Sequence, residues 1–233
     1  LYDNQAKDGF LSAWGFSCLI DTGNQVILFD TGWNGPLLLD NMNKLGISPM
    51  SIDILVLSHQ HWDHIGGMTT ILSINPDVDV YVPSSFSLRL KQEISNIITS
   101  SSGTINNNQV LVHYSENPHF HEVQSPQKIC DAVYTTGEIG TDTKEQSLLI
   151  DSANGLCILC GCAHSGLDSI INRASAFGDP VAIIGGLHDS QDFTPLEKFH
   201  LIGAGHCTTY KEKIREMYPD AFVDISAGYT FDL

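Results

Sequence analysis

The sequence predicts an α+β fold in four layers, αββα, with two mixed sheets packed face to face and helices on both outer surfaces. Three observations lead there. Each half of the chain runs strands first and then alternates strand with helix. A polar stretch at 99–108, mostly Ser, Thr, Gly and Asn, separates the halves and marks a boundary between two half-domains of one domain. At 233 residues and 42% hydrophobic, the chain is long enough to bury a sizeable core.

The elements follow in order. Residues 14–20 and 25–29 are β-rich runs around Asp21-Thr22-Gly23-Asn24, a hairpin with turn residues at its tip. A polar, Gly-rich loop covers 30–35. Helical spacing over 36–45 stops at Gly46. A short apolar strand is predicted at 52–57, a helix at 66–74, a strand at 78–82 and a helix at 84–98. Beyond the polar stretch, β-like runs occupy 110–114, 129–134, 146–150 and 156–160. A helix is expected at 167–177, a strand at 181–184 and a helical turn at 196–199. A strand at 201–203, a helix at 208–217 and a last strand at 221–225 complete the chain.

Composition narrows the function. There are 27 acidic residues against 11 basic ones, for a net charge of −16. A surface of that sign repels phosphate backbones and argues against nucleic acid as a partner. A bound cation would reverse the potential locally, so a small anionic substrate stays compatible. Six scattered cysteines in a chain of this size argue against a disulfide scaffold. Cys157, Cys160 and Cys162 lie close together, but 157 and 160 face opposite sides of a strand, and all three read as small buried residues. No apolar run approaches the length of a membrane span. The default expectation is a cytoplasmic protein. The chain opens on Leu1 rather than methionine, which leaves a removed leader open. The partners expected are a small-molecule substrate and at most a second copy of the chain as a homodimer, with no nucleic acid and no membrane.

The chemistry concentrates in Ser58-His59-Gln60-His61-Trp62-Asp63-His64-Ile65-Gly66-Gly67. Three imidazoles and a carboxylate fall within six residues, just past a predicted buried strand. All are ligands suited to first-row cations, zinc above all. His59 and His61, two apart, can approach one ion from the same side. Asp63 and His64 can reach a second. Elsewhere, His119 and His121 make a pair without a third ligand, while His113 and His200 stand alone.

This string resembles the His-x-His-x-Asp-His signature of the metallo-β-lactamase superfamily. Phe29-Asp30-Thr31-Gly32 is similar to its early Asp-Thr-Gly loop, whose Asp supports the metal loop. His164, in Gly161-Cys162-Ala163-His164, matches the third histidine of the first metal. His206, in Gly205-His206-Cys207, matches the late histidine of the second. Further pieces, Tyr2-Asp3-Asn4, Trp14-Gly15-Phe16-Ser17, Thr136-Gly137-Glu138-Ile139, Gly185-Gly186-Leu187-His188 and His206-Cys207-Thr208, resemble one branch. That branch includes the archaeal dihydropterin synthase of methanopterin biosynthesis and uncharacterised metallo-hydrolases.

The resemblance implies a metallo-β-lactamase sandwich holding one or two zinc ions, with manganese or iron as alternatives. The first ion would be held by His59, His61 and His164, the second by Asp63, His64 and His206. His188 stands where many relatives place a metal-bridging aspartate. It is expected at the site as a ligand, a substrate hydrogen-bond partner or a proton carrier, with Asp189 as the fallback carboxylate. Asp63 is expected to take a proton during turnover. Trp62 and Trp33 read as pocket wall or cover, and Glu138, on resemblance, as a substrate-orienting group. Cys162 and Cys207 adjoin expected ligands, and packing is the commoner use of such thiols.

Three activities are compatible. A metal-bound hydroxide would make the chain a hydrolase of a small anionic ester or phosphate-bearing substrate. Metals engaging phosphate groups as Lewis acids would make it a synthase or lyase on a phosphorylated pterin-like substrate, distinguished by its condensation product. A metal pocket that binds a metabolite without turnover would make it a sensor; the intact ligand set speaks against that.

Overall fold

A computed structural model of the protein describes residues 1–102 and 113–233. The first sheet contains β1 (Cys18–Asp21), β2 (Val26–Phe29), β3 (Ile54–Val56), β4 (Asp79–Pro83) and β5 (Phe120–Val123), in that order across it. β1 and β2 form the expected antiparallel hairpin, and the remaining pairs are parallel. The second sheet contains β6 (Gln127–Cys130), β7 (Val133–Thr135), β8 (Leu148–Ser152), β9 (Gly155–Cys160), β10 (Pro180–Gly186), β11 (Leu201–Gly205) and β12 (Phe222–Asp224). Its strands also lie in chain order, antiparallel from β6 to β9 and parallel from β9 to β12. The helices are α1 (Gly35–Lys44), α2 (Trp62–Ile65), α3 (Met68–Ile74), α4 (Leu88–Ser102), α5 (Leu167–Ala174) and α6 (Lys211–Met217).

Strand periodicity builds the layers. Successive residues of a strand point to opposite faces. Ile27 and Phe29 therefore meet Leu148, Ile150, Cys157 and Leu159 between the sheets. Leu28 and Leu55 point the other way, onto Leu38 and Met42 of α1 and Ile71 and Leu72 of α3. On the far side, Leu149, Ile158 and Ile183 pack under Ile170 and Ile171 of α5 and Ile214 of α6. Three apolar layers thus separate four layers of secondary structure, as the fold class requires. Each fully buried Leu, Ile or Phe contributes about 1.5–3 kcal/mol. Cys157 lies between the sheets and Cys160 beneath the helices, on opposite faces of β9 as alternation predicts. Among the described residues, no helix is long and apolar enough to cross a membrane.

Four details differ from expectation. Part of the histidine string is not loop: Trp62–Ile65 closes a helical turn. The segment 118–121 reads as a loop, yet Phe120–Val123 is a strand paired with β4. Its burial does not alternate: Phe120 and Val123 are buried, and His121 and Glu122 between them are not. A strand was expected at 110–114; residues 110–112 lie outside the described residues, and Tyr114 opens a 3-10 turn. The chain also changes sheets later than expected. α4 runs on to Ser102, 103–108 lie outside the described residues, and β5 still belongs to the first sheet. The passage to β6 comes at 124–126.

The parallel strands explain where chemistry gathers. Asp30 leaves the C-terminal end of β2, the histidine string follows β3, and residues 161–164, 188 and 206 follow β9, β10 and β11. In open parallel sheets this edge is where loops form a crevice. Five non-glycine residues among those described have positive φ, and four of them sit here: Asp30, Ala163, His188 and His206. Such conformations cost of order 1–3 kcal/mol each and persist only where the surroundings enforce them.

Candidate metal centre

Asp30 is the anchor. Its side chain is fully buried, and its carboxylate accepts from Ser58 N at 2.7 Å, Ser58 Oγ at 2.6 Å and His64 Nδ1 at 2.7 Å. Thr31 N and Thr31 Oγ1 both donate to His64 O, at 2.7 and 2.9 Å. The loop after β2 thereby fixes the start and end of the string after β3. Gly161 is required for this approach, because a Cβ there would overlap Ser58 Oγ and come within 2.9 Å of Asp30 Oδ2. From the segment just before β8, Gln146 Nε2 donates to Leu57 O at 2.9 Å and Gln146 N to Ser58 O at 2.9 Å.

Two groups of ligand atoms result. His59, His61 and His164 place one ring nitrogen each within 4.8 Å of the others. His59 Nε2 and His61 Nδ1 are 3.0 Å apart. Asp63, His64 and His206 form the second group. Its edges are 3.2 Å for His64 Nε2–His206 Nε2, 3.4 Å for His206 Nε2–Asp63 Oδ2 and 3.9 Å for His64 Nε2–Asp63 Oδ2. Bonds of 2.0–2.1 Å to a tetrahedral ion put ligand atoms about 3.3 Å apart. The His59 and His64 rings, 4.2 Å between centroids, join the two groups.

The hydrogen bonds behind these rings decide which nitrogen faces inward. Asp30 can only accept, so His64 donates through Nδ1 and a neutral ring keeps its lone pair on Nε2. Asn4 Nδ2 donates to His206 O at 2.9 Å and Gly15 N donates to Asn4 Oδ1 at 3.1 Å. Asn4 Oδ1 is therefore the acceptor for His206 Nδ1–H at 3.1 Å, and His206 Nε2 also carries a lone pair. Ser58 Oγ gives its proton to Asp30 and so accepts from His59 Nδ1 at 2.8 Å, which turns the His59 Nε2 lone pair inward as well. Two lone pairs 3.2 Å apart, on His64 and His206, repel unless a cation or proton lies between them. His164 Nε2 is buried and has no partner. These orphaned, convergent donors fit a metal ion, and partner groups of this kind are how proteins orient metal-binding imidazoles.

Electrostatics agree. Burial, then repulsion from neighbouring rings, pushes the His59 pKa well below its ordinary value and that of His164 down to about 4. Burial also lowers His206 and, to a lesser degree of enclosure, His61. Neutral imidazole is the ligating form. Burial alone would raise Asp63; the His206 contact and the neighbouring His64 outweigh it and hold the carboxyl well below the usual carboxylate range. Trp14 Nε1 also donates to Asp63 Oδ2 at 2.8 Å.

Cavities of about 520, 330 and 300 Å³ open onto this cluster, with His61, His164 and His188 on their walls. The sequence profile described as metallo-beta-lactamase superfamily matches residues 15–97. A solved structure described as a metal-dependent hydrolase of the beta-lactamase superfamily superposes with a TM-score of 0.69, covering 100% of this chain and 96% of that one at 21% identity. The fold is that of the metallo-β-lactamase superfamily. Among curated relatives, the chain is 28% identical to a 7,8-dihydropterin-6-methyl-4-(β-D-ribofuranosyl)-aminobenzene-5′-phosphate synthase of Methanocaldococcus jannaschii, over 94% of this chain and 90% of the relative. It is 27% identical to an uncharacterised protein of the same organism, over 81% of this chain and 77% of the relative.

Within the metallo-β-lactamase fold, the remaining candidates have definite places. The His188 ring lies tilted by 53° to that of His164, 4.4 Å between centroids, and its Nδ1 donates to Asp189 Oδ1 at 2.8 Å. It lines two cavities, and Asp189, its side chain 77% exposed, shares the wall of one of them. Trp62 is exposed, lines a cavity and meets Trp33 edge to face. Glu138 accepts from Ser85 N at 2.5 Å and pairs with Lys144 at 3.7 Å, so it braces the loop after β4. His119 and His121 both contact Asp79 Oδ1 at 3.1 Å on the surface, a carboxylate that spacing alone did not supply. Cys162 is buried, as expected of a packing thiol, and its Sγ also lies 3.1 Å from His64 Nε2, just past the end of β9 where Ala163 adopts φ 59°. The Cys207 contact, and then burial, raise its thiol pKa.

Proposed function

We propose that this chain is a dinuclear metal-dependent hydrolase of a small, anionic ester or phosphate-bearing substrate, with zinc as the cation. The observation that carries this reading is the facing pair of ligand groups, whose inward lone pairs and orphaned His164 Nε2 ask for cations at the floor of open cavities. His59, His61 and His164 would hold one ion, and Asp63, His64 and His206 the other. Cations bound there supply a water of lowered pKa and a Lewis acid for a substrate oxygen.

The chain's own residues do the rest. Asp63 Oδ2, held by Trp14, faces His206 and is placed to hold a proton during turnover. His188 donates from Nδ1 to Asp189, which leaves Nε2 to accept a proton or a substrate hydrogen bond at the cavity wall. Trp62 forms an apolar side of the entrance. Lys144 is the one lysine or arginine among the residues lining the three cavities, so attraction for an anion rests mainly on the cations.

A second reading is favoured by the 28% identity over most of both chains with the dihydropterin-ribofuranosyl-aminobenzene phosphate synthase. There the cations engage phosphate groups of a phosphorylated pterin while a new bond forms. One experiment separates the two. The zinc-loaded protein is incubated with p-nitrophenyl esters and phosphates, and separately with a dihydropterin diphosphate plus a ribofuranosylaminobenzene phosphate. Ester or phosphate cleavage that vanishes in His61→Ala supports hydrolysis. Pyrophosphate release with a condensation product, and no cleavage of the esters, replaces it with synthesis.

A further inference from the structure

We propose that the Cys162 sulfur is a ligand of this metal centre, positioned by Cys207, and that it gives the site a preference for thiophilic cations. The proposal rests on the reading of the two imidazole groups as cation sites. It adds a sulfur that neither group contains.

The six cysteines are free, but they do not have equivalent surroundings. Cys157 and Cys160 lie in apolar layers, and their thiols reach backbone carbonyls, Ile158 O at 3.8 Å and Ile184 O at 3.4 Å. That is how packing cysteines sit. Cys162 is equally buried, at 3% exposure, yet its Sγ meets a ring nitrogen, His64 Nε2, at 3.1 Å. This is the nitrogen whose lone pair already opposes His206 Nε2. The sulfur also lies within 4.8 Å of ligand atoms of His59 and His64 together, and in another set with His206 and Cys207. It therefore lies within reach of ligand atoms from both metal groups. Asp63, His164 and Cys162 share the wall of one cavity.

The chain is built for this placement. β9 ends at Cys160, Gly161 lets the strand end press on Asp30 and Ser58, and Ala163 adopts positive φ. Cys162 and His164, two apart, both reach the centre. Opposite them, His206 adopts φ 41°, and Cys207 donates its thiol to Cys162 Sγ at 3.3 Å. Gly186 leaves room for that thiol, since a Cβ there would come within 2.6 Å of Cys207 Sγ. Cys207 is a positioning residue: its S–H directs the Cys162 lone pairs.

Chemistry follows from the ligand type. A thiol that coordinates a divalent cation gives up its proton, here to solvent, and sulfur favours zinc, cobalt or iron(II) over manganese and magnesium. The test uses the full chain, purified under reductant and loaded with cobalt(II), with metal content measured in parallel. The wild type is expected to bind two cobalt ions and show a near-ultraviolet thiolate-to-cobalt charge-transfer band. Cys162→Ser should lose the band while retaining bound cobalt, and Cys207→Ser should shift it. Zinc X-ray absorption of the wild type should show a sulfur neighbour at about 2.3 Å, which keeps the proposal testable if the variant fails to fold. Cobalt bound without the band, no sulfur neighbour, or a Cys162–Cys207 disulfide persisting in the loaded protein overturns the sulfur ligand and leaves the two-cation reading intact. Binding of no cobalt or zinc at all overturns that reading itself.

Discussion

The two ligand groups are built from similar side chains but are held very differently. In the Asp63, His64 and His206 group every member is buried, and each has a partner that fixes its orientation: Trp14 for Asp63, Asp30 for His64, Asn4 for His206. In the His59, His61 and His164 group only His59 is anchored from behind, through Ser58. His61 is partly exposed and touches His59, while His164 Nε2 has no partner. The first arrangement carries its orientation cost in the folded chain; the second leaves that cost to be met when a cation arrives. Preorganised ligands bind more tightly, and loosely held ones at a cavity wall exchange and admit substrate. The difference suggests one structural cation and one working cation within a single centre.

Removing the anchor should break the comparison most severely. Asp30→Ala strands two buried donors from Ser58 and one from His64. Each unsatisfied buried group costs about 1–3 kcal/mol, so a loss of about 3–5 kcal/mol is expected. Urea unfolding of the metal-free protein measures it. A change below about 0.5 kcal/mol would mean that Asp30 does not organise the centre.

Much of this was legible in the chain itself. The apolar runs that form β2, β8 and β9 marked those strands, the spacing of Cys157 and Cys160 put them on opposite faces of β9, and the clustering of His59, His61, Asp63 and His64 marked the centre. His164 and His206 required resemblance, since a lone histidine beside glycine has no distinctive spacing. The partners behind the ligands were harder to see. Asn4 and Asp3 meet His206 across more than 200 residues, Asp3 Oδ2 accepting from His206 N at 2.8 Å, and Trp14 reaches Asp63 across 49. An Asn near a terminus and a Trp before a strand carry no local sign of such contacts. Cys162 was read as a packing thiol from the commoner use of cysteine, and no local spacing signals its 3.1 Å approach to His64 Nε2. β5 was hidden because its neighbour Asp79, not a core position, explains His119 and His121.

Single-ligand variants sharpen the contrast. His206→Ala and His61→Ala should each lower metal content from about two ions per chain to about one, a direct consequence of one ion per group. Their remaining ions should differ. The ion left in His61→Ala should resist a chelator, and the one left in His206→Ala should be lost readily. Elemental analysis after graded chelation reads both. Equal retention in the two variants would erase the proposed inequality.

A smaller effect isolates the supporting shell without touching a ligand. Wild-type protein titrated with chelator should lose its cations in two steps. Asn4→Ala removes the acceptor that orients His206 and should weaken the tighter step by about 10–100-fold, leaving the weaker step in place. Stepwise release that is unchanged in Asn4→Ala would show that the His206 ring is set by Asp3 and the strained backbone at φ 41° instead.

Trp14→Phe should act in the same direction and least of all. It keeps an aromatic ring edge-on to His206, with centroids now 5.3 Å apart, and deletes only the 2.8 Å donor to Asp63 Oδ2. A hydrogen bond to a charged acceptor contributes about 1.5–3 kcal/mol, and partial exposure of Trp14 brings the effect toward the lower end. That corresponds to about a tenfold loss in the tighter step. The carboxylate freed from Trp14 should also take up a proton more readily, so the loss should grow as pH falls. A larger drop than Asn4→Ala produces would move the organising role from the His206 side of the group to Asp63.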